Sequence, residues 1–94
     1  MIDNDIALEN LSIDSGTTTV NGTVTITGDF DNDAVFTSNQ STVSFSGNSP
    51  QIISGNMIGN NAFYNLQFSG TGIKTIVNQA STSFLTVASG GNVE

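Results

Sequence analysis

The chain of 94 residues contains no cysteine and no histidine. Without cysteine it forms neither a disulfide framework nor a thiolate metal site. Without histidine it lacks the most common general base and the side chain that changes charge near neutral pH. Its carboxylates are concentrated in one turn and at the ends, with no arginine to stabilise a developing anion. We therefore expect no enzyme activity and no catalytic or cofactor-binding residues.

Basic residues are almost absent. Lys74 is the only one, against eight acidic residues, and the formal net charge is −7. A charge of this sign repels nucleic acid and anionic membrane surfaces, so we expect no nucleic-acid partner. No apolar run approaches the roughly 18 residues of a membrane span, and the first residues do not resemble a signal peptide.

Helix-forming patterns are also missing. Apolar residues do not recur at the spacing of one helix face, and Ser, Thr, Asn and Gly together make up 46 of the 94 residues. This composition is typical of strands and turns. Only 36% of the residues are hydrophobic, so a core built by this chain alone is small, whereas stacked repeats would bury their faces against each other.

A short phrase recurs along the chain: apolar, polar, apolar, Ser or Thr, Gly. It occupies positions 24–28, 43–47 and 66–70, with looser copies at 11–16 and 85–90. Each copy predicts a short strand that ends in a turn. Successive copies are separated by roughly 20 residues, which is the length of one winding of a solenoid. The first step is shorter than the others and predicts a short first winding. The first apolar residues of the copies are Leu11, Val24, Val43, Leu66 and Leu85.

The phrase predicts an all-β protein: a parallel, right-handed β-helix of about four windings with no α-helix. The alternative is an Ig-like β-sandwich, which short strands in a chain of this length also suit. Asn21-Gly22 is either a hairpin turn or a bend between two sides of one winding, and the spacing of the copies favours the bend. Residues 56–61 are predicted to form a loop that leaves the stack, and Phe63 is out of phase with Leu66 and Phe68. The six phenylalanines are expected in the core, with Phe45 stacked on Phe68.

Residues 11–84 are predicted to form one solenoid repeat unit. Residues 1–10 are the lead-in or first edge strand, and residues 85–94 open the next repeat or form the C-terminal edge. This division rests on an echo, because Leu11, Ser15 and Gly16 recur at the same relative spacing as Leu85, Ser89 and Gly90.

The phrases GTVTITGDFDNDAVFTSNQSTVSFSGNSPQIISG and FYNLQFSGTG resemble a repeat of very large secreted surface proteins of Bacteroidetes-type bacteria. The likeness covers residues 11–90 and departs from the family pattern at Asp33 and in the loop from Asn56 to Asn61. It implies a parallel β-helix in an adhesin-like protein that is extracellular or on the cell surface, as part of a larger exported chain. No binding residues come with the resemblance.

A calcium site is the one metal hypothesis. Asp29, Asp31 and Asp33 have the spacing with which a calcium loop begins, but Ala34 replaces the glycine of its sharp turn and Gln40 its final glutamate. An acidic corner whose side chains bond their own backbone explains the pattern better. We therefore expect no metal site, with these three residues as weak candidates for calcium.

The sequence thus favours a non-enzymatic structural or interaction repeat that acts as a stalk or surface-presenting scaffold. Its expected partners are neighbouring copies of the repeat, stacked end to end. Two alternatives remain open: a carbohydrate-binding module on the same scaffold, with cell-surface glycans as partners and Tyr64 as a stacking residue, and a calcium-stiffened adhesin repeat.

Overall fold

The computed structural model describes residues 5–88 and 92–93. In this part of the chain there are twelve β-strands, one turn of 3-10 helix at Gly59–Asn61 and no α-helix. The strands are β1 Ile6–Leu8, β2 Leu11–Ile13, β3 Thr17–Thr19, β4 Thr23–Ile26, β5 Phe30–Asn32, β6 Val35–Thr37, β7 Thr42–Phe45, β8 Gln51–Gly55, β9 Phe63–Phe68, β10 Ile73–Ile76, β11 Thr82–Val87 and β12 Asn92–Val93.

Successive strands belong to different sheets, so the chain winds around a central axis. The first sheet has the order β1-β4-β7-β9-β11, the second β2-β5-β8-β10-β12, and the third consists of β3 and β6. Every pairing among these strands is parallel. The parallel β-solenoid of about four turns is therefore confirmed, and the Ig-like sandwich, which needs antiparallel sheets, is wrong.

The first sheet shows the register that the recurring phrase predicts. Val24 pairs with Val43, Val43 with Leu66, and Leu66 with Leu85. Leu11 was expected in the same row and is not there, since it pairs with Phe30 in the second sheet. Ile6 takes its place opposite Val24, so the first winding has an ordinary length and the expected short winding does not exist. The recurring phrase gave the wrong sheet for Leu11 because strands of the first and second sheets both bury alternate residues, so the phrase fits either sheet.

The echo between Leu11 and Leu85 therefore joins residues of different sheets. The two residues do not occupy equivalent positions in a winding. The assignment of residues 11–84 to one repeat unit, with 1–10 and 85–94 on either side, stays a prediction.

Side chains that point inward from all three sheets form one apolar core, and phenylalanine dominates it. Phe45 stacks on Phe68 with ring centroids 5.9 Å apart, as predicted, and edge-to-face contacts join the other inner rings. The prediction for the sixth phenylalanine is wrong, because the ring of Phe84 is exposed. The buried apolar residues are Ile13, Val20, Val24, Ile26, Phe30, Phe36, Val43, Phe45, Ile53, Met57, Phe63, Leu66 and Phe68.

Two local predictions are confirmed. Asn21-Gly22 joins strands of different sheets, so it is a bend and not a hairpin. Phe63 and Leu66 are both buried although they are an odd number of positions apart, so the in-and-out alternation breaks between them.

The loop at residues 56–61 is irregular, as predicted, but it does not leave the stack. Met57 is buried and pairs by an isolated parallel bridge with Ala80. The Asn61 side chain accepts a hydrogen bond from the Phe36 backbone N–H and donates one to the carbonyl of Ala34. The Asn61 side chain thus makes hydrogen bonds of the kind that a further strand beside β6 would make. The third side of the solenoid therefore continues past β6 without a further described strand.

Candidate functional site: the exposed end of the stack

The corner between the first and second sheets explains why the recurring phrase ends in glycine. Gly28, Gly47 and Gly70 lie above one another there. A Cβ atom at any of them would lie 2.5 Å or less from a backbone carbonyl oxygen of the preceding winding. Of the three, only Gly70 also has a positive φ, of 77°. The glycine is therefore required chiefly because successive windings approach too closely for a side chain.

Gln51 closes this corner from inside. Its side chain is fully buried, and its Nε2 donates to the carbonyl oxygens of Ile26 at 2.9 Å and Gly28 at 2.7 Å. Its Oε1 accepts from the Gly47 N–H at 2.8 Å. One amide thus makes hydrogen bonds to backbone groups of two successive windings, and the Ile26 carbonyl also accepts from the Ser46 N–H.

Lys74 occupies the equivalent position one winding later, paired in register with Gln51. It is fully buried, and its Nζ donates to the carbonyl oxygens of Gly47 at 3.0 Å and Gly72 at 2.7 Å. Burial lowers the pKa of this amine from its ordinary value, because desolvation disfavours the charged form. The only basic residue is therefore an interior group and not a surface charge.

Sequence reasoning missed both interior polar residues. A signal was present, since the step from Gln51 to Lys74 equals the step from Val43 to Leu66. Equal steps place residues in equivalent columns of a solenoid. That spacing could have identified Gln51 and Lys74 as members of one column. It could not have shown that their side chains point into the core.

A polar cleft of about 650 Å³ runs along the outside of the same corner across the first three windings. Glu9, Asn10, Asp29 and Asn48 are among the residues that line it, with Gly28 and Gly47 at the close approach. None of the described residues that line it carries an aromatic ring. The cleft therefore lacks the flat apolar face on which a sugar ring stacks.

The three weak calcium candidates lie just before, within and just after β5, and the carboxylates of two of them accept hydrogen bonds from a backbone N–H or a neighbouring side chain. The Asp29 carboxylate accepts from the Ile52 N–H at 2.9 Å, and the Asn10 side chain accepts from the Asp29 N–H at 2.8 Å. The Asp31 carboxylate accepts from the Ser54 hydroxyl at 3.1 Å. Within residues 5–88 and 92–93, no group of three or more metal-binding side chains is placed to hold an ion. The calcium hypothesis stays a prediction that melting with and without EDTA checks.

Asp33 is exposed and close to other acids. A hydrogen bond with the Asp31 side chain raises the pKa of Asp33 above its ordinary value, and the negative charges of Asp31 and Asp14 add to the rise. Two carboxylates this close repel each other when both are ionised.

The Tyr64 and Phe84 rings form a pair on the outside of the first sheet. Their centroids are 5.4 Å apart in an edge-to-face arrangement, and Phe84 is more than half exposed. The Thr82 hydroxyl, which donates to the Tyr64 carbonyl oxygen at 3.0 Å, ties the two strands together beside the pair. Tyr64, the expected sugar-stacking residue, thus has an aromatic neighbour that the sequence did not indicate.

The last winding exposes apolar side chains in columns whose members in β4, β7 and β9 are buried. Leu85 follows Leu66 in register and is 59% exposed, where Leu66 is 4% exposed. Val87 follows Phe68 and is 52% exposed, where Phe68 is 1% exposed. We call this surface of β11 the open end. Its residue types are those of a core, and only the absence of a further winding exposes them in the described part of the chain.

Charge is distributed unevenly along the axis of the stack. Seven of the eight acidic residues precede Ala34, and Lys74 is the only charged residue from Ala34 to Val93. The first two windings are therefore strongly acidic, whereas the described side chains around the open end are uncharged.

No helix within the described residues is long and apolar enough to cross a membrane. No protein-family model matches the chain, and comparison with curated proteins and with solved structures finds no significant match. What can be said of its role therefore rests on the solenoid fold and on the surfaces described above.

Proposed function

We propose that this chain is a structural repeat of a secreted, adhesin-like surface protein, in which it extends a stalk or scaffold by stacking windings end to end. It has no enzymatic role in this proposal. The chain acts by holding distance and by presenting its outer faces. The resemblance of residues 11–90 to repeats of large exported surface proteins agrees with this role.

The open end is the observation that carries the proposal. Leu85 and Val87 continue columns whose members in β4, β7 and β9 are buried, and β11 has β9 on one side and no described strand on the other. A solenoid end that is exposed to water usually carries a polar cap. An apolar end with a free strand edge is instead suited to a further winding.

A tandem fusion of two copies tests the role. Nine residues follow Leu85, and Ile6 is the sixth residue of the second copy, so a linker of about four residues restores a winding of ordinary length. We expect the fusion to melt in a single transition at a higher temperature than the single chain, because the junction buries the open end. The matched control carries Leu85→Ser and Val87→Ser in the first copy only, and it should lose most of the gain. Two copies that melt independently at the single-chain temperature would refute the stacking role.

A second candidate function is glycan binding, which the pair of Tyr64, half-buried, and Phe84, exposed, on the outside of the first sheet favours. Aromatic rings on an outer face are suited to stacking against sugar rings, and the polar side chains of Asn65 and Gln67 lie beside them in the same strand as Tyr64. A glycan array should then identify a binder whose signal is lost in Phe84→Ala and kept in Val77→Ala, which removes an exposed apolar residue elsewhere. If no glycan on the array bound, only the scaffold role would remain.

A further inference from the structure

We propose that the open end of one copy is covered by the first winding of a second copy, head to tail and with parallel strands. In this arrangement Leu85 packs over Ile6 of the second copy and Val87 over Leu8. The inference rests on the proposed stacking function and adds the partner and its register.

The two ends match because they belong to the same columns. Ile6 is the first member of the column that Leu85 ends, and Leu8 is the first member of the column that Val87 ends. Ile6 is 41% exposed, which is unusual for a residue whose column is buried in the windings above it. Each end thus exposes apolar groups that the other end would cover, at the spacing of one strand.

The backbone edges also match. In the first sheet β1 and β11 are the two outermost strands. A parallel strand added to β11 continues the ladder that β9 and β11 already form, so the junction repeats an interface present four times within the chain. A heterologous contact of this kind does not close on itself and yields open stacks.

Charge selects this orientation over the symmetric one at the other end. Seven of the eight acidic residues precede Ala34, so two copies that met by their first windings would bring like charges together. A junction between an acidic first winding and the open end, whose described side chains are uncharged, avoids that repulsion. The remaining possibility joins two open ends, and it requires antiparallel pairing of β11 with itself.

The outward column of the first sheet provides a direct test of the register. Thr86 follows Gln67, Ser44, Thr25 and Ala7 in that column, so the proposed junction places Thr86 beside Ala7 of the second copy. Paired residues of neighbouring strands lie within the Cα distance that a disulfide spans. Because the chain has no cysteine, each introduced thiol is the only one in its molecule.

The experiment mixes two single-cysteine proteins, Ala7→Cys and Thr86→Cys, and oxidises them with oxidised glutathione. We expect a covalent dimer at least tenfold more abundant in the mixture than in either protein alone. The matched control mixes Thr86→Cys with Ser12→Cys, whose thiol lies on the second sheet, and it should yield only the background amount. The dimer should also disappear when Leu85→Ser is introduced into the Thr86→Cys protein.

Three outcomes would overturn the inference. A dimer formed by Thr86→Cys alone indicates that two open ends meet. Equal yields with Ala7→Cys and Ser12→Cys indicate unspecific collision, and background yields in every mixture indicate that separate copies do not stack. The tandem fusion separates this inference from the proposed function. If the fusion is stabilised by the junction and the cross-link fails, the stacking role stands and the contact between separate copies is wrong.

Discussion

The two ends of the solenoid are built from the same columns but differ in strand length and in charge. The first winding has three strands of three residues each and carries exposed acidic side chains, whereas the last described strand of the first sheet has six residues and no charge. Both ends lack a neighbour on one side. Within one column, leucine is buried in the middle of the stack and exposed at its end, as Leu66 and Leu85 show, so burial also depends on position along the axis.

The largest expected effect comes from one column, compared in two windings. Phe68→Ala removes a ring that is buried between neighbouring windings, and we expect a loss of about 3–5 kcal/mol in the free energy of unfolding. Val87→Ala alters the next member of that column, which is exposed, and should cost about 0.5 kcal/mol or less. Urea denaturation at a concentration where the chain is monomeric measures both. A large loss for Val87→Ala would mean that the last winding is covered in the monomer.

The close approach of windings at the glycine corner gives the next effect. Gly47→Ala places a Cβ against the carbonyl oxygen of Thr27, so the windings must separate, and we expect a loss of about 1–3 kcal/mol. Ser46→Ala is the matched control at the neighbouring position and should change the free energy by about 0.5 kcal/mol or less. The urea midpoints of Gly47→Ala and Ser46→Ala measure this difference in stability. Equal midpoints would show that the corner has room for a side chain.

A third effect concerns Lys74, the only charged residue from Ala34 to Val93. Its pKa is lowered in the folded protein, so the unfolded chain binds more protons between the folded pKa and the ordinary value of 10.5. Stability should therefore rise as the pH increases through that window. Lys74→Met should flatten this rise, and the melting temperature between about pH 7 and the ordinary pKa of lysine measures it in both proteins. If the stability of Lys74→Met rose with pH by the same amount, the rise would come from a group other than Lys74.

Much of the fold could be predicted from the sequence, because the phrase of alternating residues and the similar steps between its copies reflect the solenoid directly. Val24, Val43, Leu66 and Leu85 were placed in one ladder correctly on that basis. The phrase does not say which sheet a copy belongs to, since every sheet of a solenoid buries alternate residues. Leu11 was therefore assigned to the wrong row.

The surfaces were harder to predict. Phe84 resembles a core residue because it is aromatic and lies in a strand, but it is one position out of phase with the inward columns. Gln51 and Lys74 resemble surface residues because they are polar, whereas the corner of a solenoid holds buried carbonyl groups that need a donor. The open end had no signature of its own in the sequence, because its residues are those of an ordinary buried strand.

The smallest effect concerns the acidic end. The pKa of Asp33 is raised in the folded protein by Asp31 and, to a smaller extent, by Asp14. A raised carboxyl pKa means that the folded chain binds protons more readily than the unfolded one. The associated stability is present below the ordinary value of 3.8 and is lost as the pH rises through the folded pKa. Asp33→Asn should therefore raise the melting temperature slightly at neutral pH, and the gain should shrink in about 1 M salt, which screens exposed charges.

Asp5→Asn is the control in the first winding, and it should lower the melting temperature or leave it unchanged because that carboxylate accepts the Thr23 N–H. If both substitutions raised the melting temperature equally, net charge alone, and not the contact between Asp31 and Asp33, would explain the gain.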